Sequence, residues 1–392
     1  MKRVVVGLSG GVDSSAAAYL LKQQGYEVMG LFMKNWDEQK GVITSSCTWE
    51  EDLMFAEMTA HKLNIPLYFA DFSQEYKQRV VDHMFNEYGR GRTPNPDVLC
   101  NREIKFDLFA SKANHIGTDY IATGHYCIKK TQDISYRKIH SLYRGKDNNK
   151  EQSYFLCQIA QNQLRNALFP LGHYHKSSVR KLAGELDLPT ALRKDSQGIC
   201  FIGKVDLPVF LQQKLEPVEG KIIQIPAKPL AAYKEKHMEK ADPDSLRHPP
   251  ELSQLEGRTI GTHDGVYRYT IGQRKGINIG GMSAPLYVIG KDIKHNIIYV
   301  GAGADHPGLF RKGLYIPHDN LHWIREDLAM QPGETQRLHF KVRYRQPLQK
   351  GTLLMKRKGA YILFDEPQRA ITPGQFAAWY QQDELLGSGI ID

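Results

Sequence analysis

The chain reads as a doubly wound, mostly parallel α/β sheet followed by a small central domain and a C-terminal antiparallel β-barrel. Three observations predict this. The first half alternates short apolar runs with amphipathic stretches, the rhythm of a parallel sheet with crossover helices. From Gly220 onward the chain becomes glycine-punctuated with short β-like runs. The last roughly 110 residues repeat such runs between turn residues, as small barrels do.

The elements follow in order. Val4 to Leu8 and Val28 to Met33 read as strands flanking an amphipathic Ser15 to Gln24 that stops at Gly25. Leu67 to Asp71 and Tyr120 to Thr123 continue the series, separated by helical stretches at Glu50 to Leu63, Gln74 to Tyr88 and Ile104 to His115. A further helix is expected near Ser177 to Asp187. Ile225 to Glu256, rich in Pro, Lys, Glu and His without period, reads as an exposed insertion or long loop. Leu286 to Gly290, Ile297 to Val300, Leu338 to Tyr344, Leu353 to Lys356 and Tyr361 to Phe364 are assigned to the barrel. The expected domains are therefore 1–205, 206–283 and 284–392.

With 392 residues there is room for two or three cores. The 52 Lys+Arg against 43 Asp+Glu give a net charge of +9, which favours a polyanionic partner. The amino terminus meets Gly10 and Gly11 too early to supply a signal-peptide core, and no apolar run approaches membrane-spanning length. A cytoplasmic protein without membrane contact is expected. Five scattered cysteines without a CxxC suggest neither a disulfide framework nor a zinc ribbon.

Ser9-Gly10-Gly11-Val12-Asp13-Ser14-Ser15 follows an apolar strand and opens a helix. Adjacent glycines let the backbone approach an anion, the following amides point at it, and the helix terminus adds a favourable dipole. The string lacks the Lys of a Walker A loop and the glycine spacing of a dinucleotide fold. Asp13 would be repelled by a bare phosphate, so it is expected to hold a nucleotide-bound Mg2+. The string resembles the PP-loop of N-type ATP pyrophosphatases, which cleave ATP between the α and β phosphates and adenylate a substrate oxygen.

Gly89-Arg90-Gly91-Arg92-Thr93-Pro94-Asn95-Pro96 cannot be regular helix, and its arginines suit phosphate contact. It leads into Asp97-Val98-Leu99-Cys100-Asn101-Arg102. A cysteine near a helix amino terminus and flanking arginines is expected to have a lowered pKa, with Asp97 opposing. A second cysteine ends the polar loop Lys194 to Gly198, in Gly198-Ile199-Cys200-Phe201-Ile202-Gly203.

Together with the PP-loop, the runs Pro94 to Asn101 and Gly198 to Gly203 resemble the two cysteine motifs of the bacterial tRNA-specific 2-thiouridylases, the MnmA family. The resemblance covers nearly the whole chain. Gly30 to Trp36 and Ala122-Thr123-Gly124-His125-Tyr126 are similar to nucleotide-contacting segments of the family, Gly272-Gln273-Arg274-Lys275-Gly276 to its central domain, and Lys150 to Leu156 and Arg343-Tyr344-Arg345-Gln346 to stretches that touch tRNA. Glu151 stands where the family has Asp. The long Ile225 to Glu256 segment is a second departure.

The resemblance implies an ATP-dependent sulfurtransferase that converts a wobble uridine of tRNA to 2-thiouridine, with release of AMP and pyrophosphate. ATP would be bound by Gly7, Leu8, Ser9, Gly10, Gly11, Val12, Asp13, Ser14, Ser15, Met33 and Gly124, with Mg2+. The anticodon stem-loop would meet Asn95, Pro96, Asp97, His125, Lys150, Glu151, Gln152, Arg345 and Gln346. Cys200 would carry sulfur as a persulfide received from a sulfur-relay protein or cysteine desulfurase, with Cys100 as partner thiol and Asp97 as candidate general acid or base. Direct persulfide attack and release of hydrosulfide both remain open. No resident metal is expected, since an iron–sulfur cluster would find only two thiolates at Asp97, Cys100 and Cys200. Rival readings are another PP-loop adenylating synthetase and a noncatalytic RNA-binding protein with a relic nucleotide loop.

Overall fold

The computed structural model describes residues 1–36, 49–195, 198–203, 205–238, 242–243 and 251–392. Asp37, Cys47, Ser196, Gln197 and much of the 239–250 segment lie outside them. The chain opens β1 (Arg3–Gly7), α1 (Val12–Gln23), β2 (Glu27–Lys34), α2 (Trp49–Leu63) and β3 (Leu67–Asp71). Two broken helical runs follow. The first comprises α3 (Ser73–Tyr76), a π-helical segment (Lys77–Val81) and α4 (Asp82–Gly89). The second comprises α5 (Pro96–Leu99), a π-helix (Cys100–Leu108) and α6 (Phe109–His115). After β4 (Tyr120–Ala122) come the hairpin β5 (Cys127–Ile134) and β6 (Arg137–Arg144), α7 (Gln161–Arg165), β7 (Ala167–Leu168) and α8 (Lys176–Glu185).

Strands β1 to β4 and β7 form one parallel sheet in the order β3-β2-β1-β4-β7. Its central strand is apolar from Val4 to Val6 because both faces are covered there. Val4 and Val6 share a core with Ala16 and Ala17 of α1 and Val179 of α8, whereas Val5 turns to Val80, Met84, Ile104 and Phe109 on the other face. Each of these three valines is fully buried, which stabilises the sheet by about 1.5–3 kcal/mol per side chain. The order reverses between β1 and β4, and the loops after these strands meet at that crevice, where doubly wound sheets bind ligands.

The central unit differs from expectation. After α9 (Leu207–Leu211), β8 (Gly220–Gln224), α10 (Ala227–Met238) and β9 (Arg258–His263) come β10 (Leu286–Asp292) and β11 (Ile297–Ala302). These form one four-stranded sheet, order β10-β11-β8-β9. The runs at 286 and 297, assigned to the barrel from sequence, therefore belong to the central sheet, and the expected boundary at 284 falls inside it. Ile222, Val288, Ile298 and Val300 bury together with Val266 and Ile277. Short apolar runs fit either sheet equally, and it is the parallel pairing of β11 with β8 that decides. The expected 225–256 loop is corrected too, because α10 occupies its first part. Pro229 is tolerated in the first turn, and Leu230 is fully buried against Ile225 and Leu252.

The last strands are β12 (Phe310–Pro317), β13 (Leu321–Trp323), β14 (Thr335–Lys341), β15 (Gln349–Lys356), β16 (Gly359–Arg369), β17 (Phe376–Gln381) and β18 (Glu384–Ile390). Around a core of Phe340, Ile362, Trp379 and Leu386 they run β12-β16-β15-β14-β17-β18 and continue into β6 and β5. The Asp392 amide donates to the Tyr315 carbonyl at 3.0 Å, which brings the end of β18 back to β12. The hairpin of the first domain is thus built into the C-terminal sheet, through pairing of Leu385 with Leu142. Among the described residues no helix is long and apolar enough to cross a membrane.

Candidate functional site: a phosphate loop beside a thiol pair

The PP-loop turns sharply after β1. Gly10 has φ +69°, and a Cβ there would lie 2.3 Å from the Asp52 carbonyl oxygen, so only glycine fits. Ser14 Oγ accepts the Ser9 amide at 3.2 Å and donates to the Gly11 carbonyl at 2.9 Å; Ser15 Oγ donates to the same carbonyl at 3.0 Å. These bonds hold the loop in a cup. α1 carries no side-chain N-cap at Gly11, which leaves its first amides to an anion. Gly7 and Met33 meet at the strand ends, where a Cβ on Gly7 would lie 3.5 Å from Met33 Cε. Leu8 and Val12 are buried beneath the loop. Gly124 presses on it from β4, since a Cβ there would lie 2.9 Å from the Asp13 carbonyl carbon. The eleven residues expected around ATP therefore converge on one crevice.

Three further groups complete this loop, of which only Tyr126 falls in a segment that the sequence marks. Arg193 donates to the Gly10 carbonyl and to Asp52, each at 2.8 Å. Lys176, at the start of α8, donates to Asp13 Oδ1 at 2.7 Å and bridges to Asp195 at 2.8 Å. Tyr126 donates its hydroxyl to the same Asp13 oxygen at 2.7 Å. The Lys176 ammonium thus already occupies a cation position on Asp13. This carboxylate fits the Mg2+ expected with a nucleotide, although no group of three or more His, Cys, Asp or Glu among the described residues is disposed to hold a metal by itself.

The thiol pair lies across the sheet. α5 starts at Asn95, whose Oδ1 accepts the Val98 amide, with Pro96 in the first turn. The helix then widens into the π segment that begins at Cys100. Cys200 comes to it from the 198–203 turn. Its amide donates to Asp97 Oδ1 at 2.9 Å, its carbonyl accepts the Tyr76 hydroxyl at 2.6 Å, and its sulfur accepts Lys105 Nζ at 3.4 Å. The Cys100 thiol lies close enough to the Cys200 sulfur for each to shift the other's acidity. Both cysteines are free thiols, as are the fully buried Cys127 and Cys157.

The expected acidity of Cys100 is overturned. Helix α5 begins four residues before it, so Cys100 does not sit at a helix terminus, and Arg102 turns away to Glu103 and Gln158. Burial pushes the Cys100 thiol well up. Cys200 is the acidic partner, brought down to about 7 by the hydrogen bond from Cys100 and, against the penalty of burial, by the Lys105 charge. Burial raises Asp97, partly offset by the Cys200 amide and Lys105.

The two halves of the site touch. Phe106, next to Lys105, packs on His125 with ring centroids 6.2 Å apart, and His125 lies between Gly124 and Tyr126, the two residues that contact Asp13. Asp195, five positions before Cys200, pairs with Lys150, Lys176 and Arg180 at 2.6, 2.8 and 2.7 Å. The loop that bears Cys200 is thereby tied to the phosphate loop.

Several expected RNA contacts take other roles. Glu151 is 2% exposed and pairs with Lys341 at 2.6 Å, a strut between the first domain and the barrel rather than a surface carboxylate. His125 is 8% exposed, bonded to Thr123 Oγ1 at 2.7 Å, and held neutral by burial and by Lys105. Arg92 is spent on Glu87 and Asp392, and Arg343 on the Ile271 and Ala370 carbonyls. Gln152 Oε1 accepts the Tyr126 amide, and Gln346 bonds Val342 and Gln368. Arg345 is exposed, and Arg90 is 74% exposed beside Glu87. The barrel's Gln375 holds the Thr93 and Pro94 carbonyls, fixing the approach to Asn95, Pro96 and Asp97.

Fold and loop together define an ATP-using enzyme of the PP-loop class with a thiol pair, one buried and one half-buried, beside its nucleotide loop. Family models match residues 2–204 as a tRNA methyl transferase HUP domain, 247–302 as a tRNA methyl transferase PRC-barrel domain and 313–391 as an aminomethyltransferase beta-barrel domain. Whole-chain relatives carry a different name. The tRNA-specific 2-thiouridylase MnmA of Christiangramia forsetii is 54% identical over 394 residues, and that of Flavobacterium johnsoniae 54% over 398, each alignment covering all of both chains. The protein of the same name from Halalkalibacterium halodurans is 46% identical over 393 residues, covering 100% of this chain and 94% of its own. The chain belongs to the tRNA-specific 2-thiouridylase MnmA family. Among solved structures, the U34-tRNA thiolase NcsA from Methanococcus maripaludis aligns with 65% of this chain and 78% of its own, at 16% identity and a TM-score of 0.33, too slight a likeness to add to that assignment.

Proposed function

We propose that this protein thiolates C2 of the wobble uridine of tRNA at the expense of ATP, and that Cys200, Cys100 and Asp97 carry the sulfur chemistry. The observation that supports it most is that Asp97 and Lys105 bring Cys200 to the helix that bears Cys100, in a loop tied through Asp195 and Lys176 to a phosphate loop. A uridine C2 oxygen is a poor leaving group, and adenylation by ATP turns it into AMP. The PP-loop amides, Lys176 and Arg193 surround the place where pyrophosphate charge develops. Mg2+ supplies further charge neutralisation when bound with the nucleotide, and Asp13 is the residue that would hold it.

Cys200, as the more acidic thiol, accepts sulfane sulfur from a sulfur-relay protein or cysteine desulfurase. In one route the terminal persulfide sulfur bonds to C2 and AMP leaves with the C2–O electron pair. Cys100 loses its proton to Asp97 and attacks the Cys200 sulfur, the S–S bond breaks, and the C2-bound sulfur departs as the thiocarbonyl. In the other route Cys100 attacks first and hydrosulfide is released to C2. Both end in a Cys100–Cys200 disulfide that a thiol reductant must reopen. The chemistry is that of a cytosolic enzyme with access to tRNA anticodon loops. Mass spectrometry of tRNA nucleosides from a strain deleted for this chain tests the reading: loss of 2-thiouridine alone is expected, and unchanged 2-thiouridine would refute it.

A further inference from the structure

Lys105 brings its ammonium to the Cys200 sulfur from the helix that bears Cys100. In an α-helix, residue i+5 points well away from residue i. Between Cys100 and Leu108 the backbone is π-helical, with the Phe109 amide reaching back to the Ile104 carbonyl, so that i+5 rises above i. Lys105 lies five residues past Cys100 in this widened helix, and its Nζ lies 3.4 Å from Cys200 Sγ. The Phe201 ring covers it at 5.4 Å. Such wide turns cost hydrogen-bond quality and recur at functional sites.

The surroundings hold Lys105 charged. Burial opposes the charge, but Cys200, Cys100 and Asp97 outweigh it. The other titratable groups that face the cluster are Tyr76, raised by burial and by the same three acids, and His125, kept neutral. Lys105 is therefore the cation that balances the anionic sulfur of this pocket.

We propose that Lys105 is a catalytic residue of sulfur transfer, holding the negative sulfur of Cys200, first as thiolate and then as persulfide, against the Cys100 thiol. This rests on the reading of Cys200 as the sulfur carrier. It assigns the ammonium two effects. It keeps Cys200 ionised near neutrality, and it fixes the anionic sulfur within reach of Cys100 by a charge-assisted contact.

The test compares wild type, Lys105→Met and Lys105→Arg as full-length proteins. The rate of Cys200 alkylation by iodoacetamide is followed by peptide mass spectrometry against pH, alongside single-turnover thiolation of tRNA. Lys105→Met is expected to move the Cys200 midpoint up by about one pH unit or more, leaving roughly a tenth of Cys200 or less as thiolate at neutral pH, about a fifth of the wild-type amount. Thiolation falls in step, while tRNA affinity is kept. Lys105→Arg should recover most of the shift. If Lys105→Met does not fold, Lys105→Gln provides the same comparison. A midpoint unchanged from wild type in a folded variant would overturn the proposal. Cys200→Ser separates the two readings, since thiolation that survives it refutes Cys200 as carrier whatever Lys105 does.

Discussion

The Cys200 amide donates to Asp97 Oδ1 at 2.9 Å, so one carboxylate both anchors the loop of one cysteine and stands a single helical turn before the other. Asp97→Asn retains an oxygen that can accept this bond but removes the negative charge and the proton site. Cys200 should then become more acidic, because the Asp97 charge pushes its pKa up. Thiolation should nevertheless fall by about 10²–10⁴-fold, the usual contribution of a general acid or base. Alkylation kinetics and single-turnover assays on the same preparation check both. An active variant would leave Asp97 as a loop anchor only.

The phosphate loop predicts two graded defects. Gly10→Ala forces a Cβ to 2.3 Å from the Asp52 carbonyl at a left-handed φ, so it should abolish ATP cleavage. Gly124→Ala presses at 2.9 Å on the Asp13 backbone and should raise the KM for ATP while still giving AMP and pyrophosphate. Separation of products by anion-exchange chromatography decides, and release of ADP and phosphate by wild type would contradict the adenylation mechanism.

How much of this was legible follows from where each interaction is made. The PP-loop binds through contiguous backbone, so its residues could be read from order alone. The cysteines, a hundred positions apart, could be paired only through resemblance to a family. Lys105, Lys176, Arg193 and Asp195 gain their roles from tertiary contacts that leave no local pattern. Glu151 was named as an RNA contact through resemblance alone, and the sequence gives no sign of its buried partner Lys341, 190 positions away. Strands β10 and β11 are short apolar runs between turn residues, as the barrel strands are, and only the partner strand reveals their sheet.

Glu151 therefore gives a stability prediction instead of an RNA one. With its carboxylate buried against Lys341, Glu151→Ala leaves that ammonium buried and unpaired, which should cost about 3–5 kcal/mol. Calorimetry should show a lower Tm. Tight tRNA binding by the folded fraction would agree, and an unchanged Tm would contradict the strut.

Arg345 is placed where it can meet RNA. It is exposed on the barrel, and Arg345→Ala should lower the magnitude of the slope of log K against log salt by about 0.7–0.9 per lost phosphate contact. Arg343→Ala, which removes bonds to Ile271 and Ala370, should lower stability and leave the slope alone. Equal slopes for wild type and Arg345→Ala would take the barrel face out of the RNA site.

Asp195 ties the Cys200 loop to Lys150, Lys176 and Arg180, and these cations hold its carboxyl well below the usual range despite burial. A depressed folded pKa gives stability that is complete above the unfolded value near 4 and is lost as pH falls through the folded one. The Tm gap between wild type and Asp195→Asn should therefore be widest at neutral pH and close progressively below pH of about 4. A gap independent of pH would mean that the ion pairs are not what the substitution removes.

The central claim is that sulfur passes between Cys200 and Cys100, and one experiment addresses it directly. Enzyme loaded with persulfide is mixed with ATP and unmodified tRNA for a single turnover, quenched in acid, and mapped by non-reducing peptide mass spectrometry. A Cys100–Cys200 disulfide should appear in proportion to 2-thiouridine formed, with Cys127 and Cys157, both buried and far less acidic, still reduced. Thiolated tRNA formed without that disulfide, or with full activity in Cys100→Ser, would contradict the account.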